Sequence, residues 1–474
     1  MNKCSICKVL ERVKQEQCEN LIYTTSGWVR TVRTSSQNMG FCQINDGSTT
    51  HGLQIIISDT YCDNHTDFFK NVKTGMFISV QGTVVESPGS GQSHEMLCCK
   101  FEIIGNIDES YPLAKSRMNM DTLRNFIHLR PRTNVFGCIF RIRSTLTKAI
   151  HDFYHEHSFL HLDPNIITVN ECEGGAGVFQ ITENDISDLS KLPQTKEQKY
   201  NWQDDHFNSP AYLTVSSQLQ LECMACSMGN VYTMNKSFRS EHSSTSKHVS
   251  EFTHLEIEMM DNDFDALMNI GEDMIKYCIL VIKDKNKDDL SVLDNFISKG
   301  ILERLDHMFK TPFIKKTYSE VVQEINEDRQ HKKTKIAPLN FGDDLSSEHE
   351  NYITEKYNTG VYVTHWPMEI KSFYMKQCDD ATLCESFDLL MPYGIGELIG
   401  GSQREEDYDK LVNMMDKKGV SMEKLSFYTD LRKYGTVPHG GFGLGFDRLL
   451  MLLTGIKSIK DVIPFPIYYK NCKF

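Results

Sequence analysis

The chain has 474 residues, 40 % of them apolar and 24 % charged, a globular balance that sets aside low-complexity and collagen-like classes and suggests two or three domains. Its net charge is −13, from 51 basic and 64 acidic residues, so any nucleic-acid partner must be met by local basic patches rather than by bulk attraction. No apolar run approaches the roughly 18–20 residues of a membrane helix, the opening MNKCSICKVLERVKQEQ lacks the apolar stretch of a secretory leader, and fifteen scattered cysteines suit a reducing, cytoplasmic setting with no membrane partner.

Residues 1–19 read as an N-terminal extension, a short charged helix or a frayed arm. From 20 to 107 the pattern changes to short β-type runs: LIYTTSGWVRTVRT, FCQI, GLQIIIS, MFISVQGTVVES and EMLCCKFEIIG. Turn residues such as Asn45-Asp46-Gly47-Ser48 separate them. Five strands in so short a span predict a small closed barrel of the OB type, a frequent holder of single-stranded nucleic acid. Residues 108–134 read as a linker or hinge. A helical periodicity follows over 135–157, with Phe136, Ile139, Phe140, Ile142, Leu146 and Ile150 at helix-like spacings. The rest of 135–474 alternates strands and helices, an α+β pattern, with a helical insertion of two or three helices at 262–333. Polar stretches at 182–209 and 331–351 read as surface loops.

Two Cys-x-x-Cys pairs occur, Cys4/Cys7 and Cys223/Cys226; the second falls in a helix-like run, where buried thiols are the simpler reading than zinc. His151, His155, His157 and His161 crowd one helix and its end without the glutamate of an HExxH frame, and read as a solvated face. No GxxxxGK[ST] phosphate loop is present. The run His439-Gly440-Gly441-Phe442-Gly443-Leu444-Gly445-Phe446-Asp447-Arg448 is more informative, because alternating glycines allow close approach of a flat ligand to the backbone. Arg448 in the first turn of the following helix opposes the dipole unless an anion or a planar ring engages it. Phe238-Arg239-Ser240-Glu241, the loop HSSTSKHVS and then Glu251, Phe252, Glu256 and Glu258 read as strand–loop–strand, which alone is as compatible with a salt-bridged surface ladder as with a site.

Taken together, these segments resemble the class II aminoacyl-tRNA synthetases. FRSE with its loop is similar to their motif 2 and GFGLGFDR to their motif 3, while GIGELIGGSQRE is similar to a signature of the aspartyl/asparaginyl subgroup. GWVRT…FCQINDGSTTHGLQIIIS resembles the anticodon-binding barrel of that subgroup. RNFIHLRPRTN, CEGGAGVF, PAYLTVSSQLQLE and DVIPFP resemble the bacterial type of its asparagine branch. Three positions depart from the pattern: Pro164 stands one place early in motif 1, Lys247 replaces an arginine before His248, and Ile467 replaces the arginine of a PFPR ending.

The resemblance implies ATP-dependent activation of L-asparagine, with Mg2+, and transfer of the acyl group to tRNA(Asn) by a homodimer. Aspartate as the amino acid, a non-catalytic RNA-binding paralogue, and an asparagine synthetase on the same catalytic fold are the alternatives. By resemblance Arg239 and Arg448 are the catalytic cations. ATP would be met by Arg239, Glu241, Lys247, His248, Phe252, Glu397, Gly445 and Arg448, with Glu397 holding the metal. The amino acid would be met by Glu173, Ser216, Ser217, Gln218, Arg239, Glu256 and Arg404. In this scheme Glu256 accepts from the asparagine amide, and the anticodon is met by Phe41, Gln54 and Arg30.

Overall fold

The computed structural model describes residues 3–16, 21–89, 92–113, 118–170, 177–331 and 335–473. The chain divides into two compact units. One runs to Arg141 and takes in Asp288–Phe296; the other comprises Ile142–Lys287 and the chain from Ile297 onward.

In the first unit, strands β1 (Ile22–Ser36), β2 (Met39–Asn45), β3 (Leu53–Ser58), β4 (Phe77–Glu86) and β5 (His94–Gly105) close a barrel in the order β1-β2-β3-β5-β4. Period-two alternation points Val29, Cys42, Ile44, Ile55, Ile57, Ile78, Val80 and Met96 inward, where Phe68 also packs. The expected N-terminal arm belongs to this body: helix Ile6–Glu16 buries Ile6 and Val9 in the barrel core. Its first N–H groups are met by the Asn45–Ser48 turn, since Asp46 accepts from the Ile6 amide at 2.9 Å and Ser48 from the Cys7 amide at 3.0 Å. The linker contains short helical turns and buries Leu123, Ile127 and Arg130.

The insertion differs from expectation. It forms four helices, Phe264–Lys285, Lys287–Phe296, Ile301–Lys310 and Tyr318–His331, with a strand before the last. Asp288–Phe296 groups with the barrel because Asp289 accepts from Thr50 Oγ1 at 2.6 Å and from Arg141 Nη2 at 2.7 Å.

The second unit holds β6 (Leu160–His161), β7 (Ile167–Thr168), β8 (Phe179–Ile181), β9 (Ala211–Leu213), β10 (Val231–Phe238), β11 (Glu251–Met260), β12 (Ile314–Thr317), β13 (Val361–Pro367), β14 (Leu383–Met391), β15 (Gly396–Gln403) and β16 (His439–Gly445). Eight form one sheet in the order β12-β13-β14-β15-β16-β11-β10-β6, antiparallel except at its two edges. β7, β9 and β8 form a small separate sheet. Helix Phe264–Lys285 is buried along Leu267, Met268, Met274, Ile275 and Ile279, and Phe446–Thr454 is apolar nearly all round, as a helix enclosed by protein must be.

The glycines of β16 serve the sheet itself. A Cβ at Gly441 would collide with Glu258, and one at Gly443 with the His254 ring. Neighbouring side chains of β11 therefore fill the space that the sequence suggested for a flat ligand. Only Gly445, beside Arg448, is open enough for a Cβ to make ordinary contact.

Candidate active site

Two adjoining cavities are lined by β11, β15 and β16. The first, about 210 Å³, is bounded by Arg239, Glu241, Lys247, His248, Phe252, Glu397, Gly445 and Arg448, among others. The structure thus gathers into one place all eight residues expected around ATP. Arg239 leaves the end of β10, and its guanidinium lies 5.5 Å from the centroid of the Phe252 ring. The loop after it is held at its base: the Arg239 amide donates to the Ser250 carbonyl at 3.0 Å, the Ser250 amide to Ile467 at 2.7 Å, and the Ile459 amide to Ser246 at 2.8 Å. Ile467 thus contributes its backbone where the family pattern has arginine.

The Lys247 ammonium is buried without a hydrogen-bond partner among the described residues. Burial lowers its pKa, with Glu350 pulling the other way. Burial likewise lowers His248, against the pull of Glu241. Arg448 Nη1 donates to the Glu397 carbonyl at 2.5 Å. Its neighbour Asp447 is buried and accepts from Arg143 Nη1 at 2.5 Å and from the Thr253 amide at 3.0 Å, which fixes the start of the helix carrying Arg448. Cations on three elements converge on one space, the arrangement an extended polyanion requires.

The second cavity, about 310 Å³, is bounded by Ser216, Gln218, Arg239, Glu256, Glu258, Arg404, Lys371 and Asp388, among others, and shares Arg239, His254, Glu397 and Gly443 with the first. Of the residues expected around the amino acid, Glu173 lies outside the described residues. Ser217 does not line the cavity; its amide donates to Glu256 at 2.9 and 3.1 Å. The Ser216 hydroxyl donates to the same carboxylate, and His254 Nδ1 lies 3.5 Å from it.

Glu251 does pair with Lys236 at 3.2 Å, but burial excludes the surface-ladder alternative for Glu256 and Glu258, which are 3 % and 1 % exposed. Among the described residues neither pairs with lysine. Glu258 accepts from Arg404 Nη2 at 2.5 Å and from Nε at 3.3 Å. Burial, reinforced by Glu222, pushes the Glu258 carboxyl up to about 7 against the pull of Arg404. Asp388 is raised to about 6 by burial and by Glu397, although Lys371 donates to it at 2.7 Å. Glu350 rises to about 7, from burial and from Glu397.

Sequence reasoning named Glu258 on the strand without giving it a role, and missed Glu222, Asp388, Lys371 and Glu350. Glu258 was within reach, two residues from Glu256 on a strand and hence on the same face. The others come from separate elements, and nothing local marks them.

On the barrel, Phe41 stands opposite Arg33 of β1 and Ile56 of β3, and Gln54 stands opposite Gln43. Gln54 Nε2 donates to Glu95 at 3.0 Å. Arg30 is not with them. It sits at an irregularity in β1 between Val29 and Thr31, among Tyr111, Arg132 and Arg141, and burial lowers its pKa to about 10. The bulge breaks the alternation, so Arg33, rather than the Arg30 expected at the anticodon, stands beside Phe41.

The cysteines and histidines set aside from metal binding have other partners or environments. Burial raises Cys223 and Cys226 to about 12 and 11, and His151 Nδ1 lies 2.8 Å from the Tyr232 hydroxyl.

A mainly antiparallel sheet with a cation-lined cavity beside an acidic one, accompanied by a five-stranded barrel, is the architecture of a class II synthetase. Residues 119–468 match the family described as tRNA synthetases class II (D, K and N), and residues 23–104 match the OB-fold nucleic acid binding domain. The chain is 41 % identical over 476 aligned residues to the asparagine–tRNA ligase of Phocaeicola vulgatus, with 100 % of both chains covered. It also resembles the asparaginyl-tRNA synthetase of Pyrococcus horikoshii solved with asparaginyl-adenylate: TM-score 0.83, 28 % identity, 96 % of this chain and 97 % of that one covered. A complex of the Entamoeba histolytica asparaginyl-tRNA synthetase with asparaginyl-adenylate gives 0.80 at 26 % identity, with 96 % and 97 % covered. The chain belongs to the class II tRNA synthetase family, in the group that handles aspartate, lysine and asparagine.

Proposed function

We propose that the protein is an asparagine–tRNA ligase, which forms asparaginyl-adenylate from L-asparagine and ATP with release of pyrophosphate and then passes the asparaginyl group to the 3′ end of tRNA(Asn). The observation that carries this reading is the pair of cavities sharing Arg239. The reaction joins the substrate carboxylate to the α-phosphate, so one cation must serve both groups, and a guanidinium can span two anions.

In the activation step a substrate carboxylate oxygen attacks the α-phosphorus and the P–O bond to pyrophosphate breaks; the protein supplies no covalent nucleophile. What it supplies is alignment, and fixed positive charge where charge redistributes. Arg239 meets the carboxylate and α-phosphate, while Arg448, Lys247 and His248 meet the outer phosphates. Phe252 offers a flat face for adenine, and Glu241 an acceptor for its amino group. Ser216 and Gln218 meet the backbone of the amino acid and Arg404 its side-chain oxygen. Glu256, already accepting from Ser216 and Ser217, offers its remaining lone pairs to the amide.

Two carboxylates, Asp388 in the amino-acid cavity and Glu397 lining both cavities, repel each other. As a pair of hard oxygen donors they would hold Mg2+. Such an ion would supply positive charge to the phosphates.

On the barrel, Phe41 would stack an anticodon base and Gln54 would read an edge, with Arg33 beside them. The exposed apolar residues Leu160, Ile166, Ile167 and Val169, near the β6 edge of the main sheet, support a homodimer joined there. No helix among the described residues is long and apolar enough to cross a membrane. The described cysteines are free thiols, which supports a reducing compartment such as the cytoplasm.

The deciding experiment is ATP–pyrophosphate exchange with asparagine and with aspartate side by side. Asparagine-dependent exchange well above that with aspartate is the expected result. Preference for aspartate would overturn the reading.

A further inference from the structure

Glu222 lies on helix Gln218–Met228 and is fully buried, yet it does not line the amino-acid cavity. It stands directly behind two residues that do. Gln218 Nε2 donates to it at 3.0 Å, and Arg404 Nε lies 3.8 Å away. From the far side it accepts from the Tyr428 hydroxyl at 2.8 Å and from Arg432 Nη2 at 3.0 Å, and His439 Nε2 lies 3.2 Å from it. Arg432 is itself buried, and its remaining donors go to backbone carbonyls and Tyr428.

The donors of Arg404 can be accounted for one by one. Nε and Nη2 serve Glu258, and Nη1 donates to Ser402 Oγ at 2.7 Å. One N–H remains on each terminal nitrogen. An arriving side chain therefore meets hydrogen-bond donors on a cation whose charge Glu258 already balances. Amide and carboxylate are equal in size and both accept from such donors, so the local electrostatic balance must separate them.

We propose that Glu222 is a specificity-determining positioning residue: paired with Arg432 behind Arg404, it keeps the cavity from carrying unbalanced positive charge, so that asparagine is accepted and aspartate refused. The inference rests on the asparagine reading above. Without the Glu222 charge, the Arg432 guanidinium is left uncompensated behind the Arg404 donors, and a unit charge of this kind acts on a group on the order of 8 Å away. At an effective dielectric constant near 20 this favours a carboxylate by roughly thirtyfold.

The test compares Glu222→Gln, Arg432→Gln and the double variant with the wild type, reading kcat/KM for pyrophosphate exchange with each amino acid, with folding checked by circular dichroism. Glu222→Gln should shrink the asparagine/aspartate ratio by about 10- to 30-fold, and Arg432→Gln should not shrink it. The double variant, neutral at both positions, should return to within about threefold of the wild-type ratio, and it keeps the test open if Glu222→Gln alone fails to fold. A merely structural role would depress use of both amino acids together and would not be rescued by the second substitution. An unchanged ratio in Glu222→Gln, or a double variant as unselective as that single, would overturn the proposal. A wild type that does not activate asparagine would instead overturn the underlying functional reading.

Discussion

Arg404 reaches Glu258 through two nitrogens, at 2.5 and 3.3 Å, with both side chains buried at the edge of the amino-acid cavity. The contact fixes the plane of the guanidinium as well as its position, because two parallel bonds define an orientation that one does not. It also makes each partner depend on the other, since an unpaired buried charge is costly.

Arg404→Ala should therefore destabilise the protein as well as impair asparagine use. Leaving Glu258 buried and unpaired is expected to cost about 3–5 kcal/mol above the pH at which its carboxyl, already raised by burial, takes up a proton, and less below it, measurable by urea unfolding. Arg404→Lys keeps the charge but loses the fork, and should raise the asparagine KM while leaving that of ATP unchanged.

Arg239→Ala and Arg448→Ala should each lower asparagine-dependent pyrophosphate exchange by roughly 10²- to 10³-fold with little effect on stability. Arg239 meets both substrates, so its loss should be felt in both KM values. Arg448 lines only the nucleotide cavity, and its loss should spare the asparagine KM.

The barrel should be separable from activation. Phe41→Ala removes one stacking surface and should reduce the affinity for tRNA by about 1–3 kcal/mol, read as a higher tRNA KM in aminoacylation. Exchange in the absence of tRNA should be unaffected. Equal loss in both assays would detach Phe41 from tRNA recognition.

Burial works against ionisation of Glu222, but Arg432, His439 and Arg404 outweigh it and hold the carboxyl well below the usual glutamate range. A depressed folded-state pKa contributes stability that is present above the unfolded value, about 4.3, and is lost as the pH falls below it. Wild-type unfolding free energy should thus decline steeply below about pH 4. Glu222→Gln should be less stable at pH 7 and show a shallower acid slope. Parallel slopes in urea titrations at several pH values would contradict the ion-pair account.

Much of this was legible in the sequence, for local reasons. The barrel declared itself by strands of period two between turn residues, and the nucleotide cavity by two arginine-bearing segments with their loop and strand. What stayed hidden depends on contacts between distant segments. Arg30 and Arg33 are indistinguishable until a bulge between Val29 and Thr31 decides which one accompanies Phe41. Glu222 looks like an ordinary helical glutamate until Arg432, two hundred and ten positions later, arrives beside it. The insertion at 262–333 looked purely helical because the four-residue strand Ile314–Thr317 is too short to show alternation.

β16 presents glycine at alternate positions, and Gly443 belongs to both cavities. The β11 side chains fill the space over Gly441 and Gly443, but at Gly445, in the nucleotide cavity, the backbone lies bare; such a floor has no rotamers to freeze when a ligand settles on it, so binding there carries no side-chain entropy loss. The opposing wall is of another kind: Lys247 and His248 ride on a loop anchored at its base and carry long or rotatable side chains. Differences in affinity among nucleotide-like inhibitors should accordingly arise at the loop, and compounds that rigidify it should gain more than compounds that fit the floor more closely.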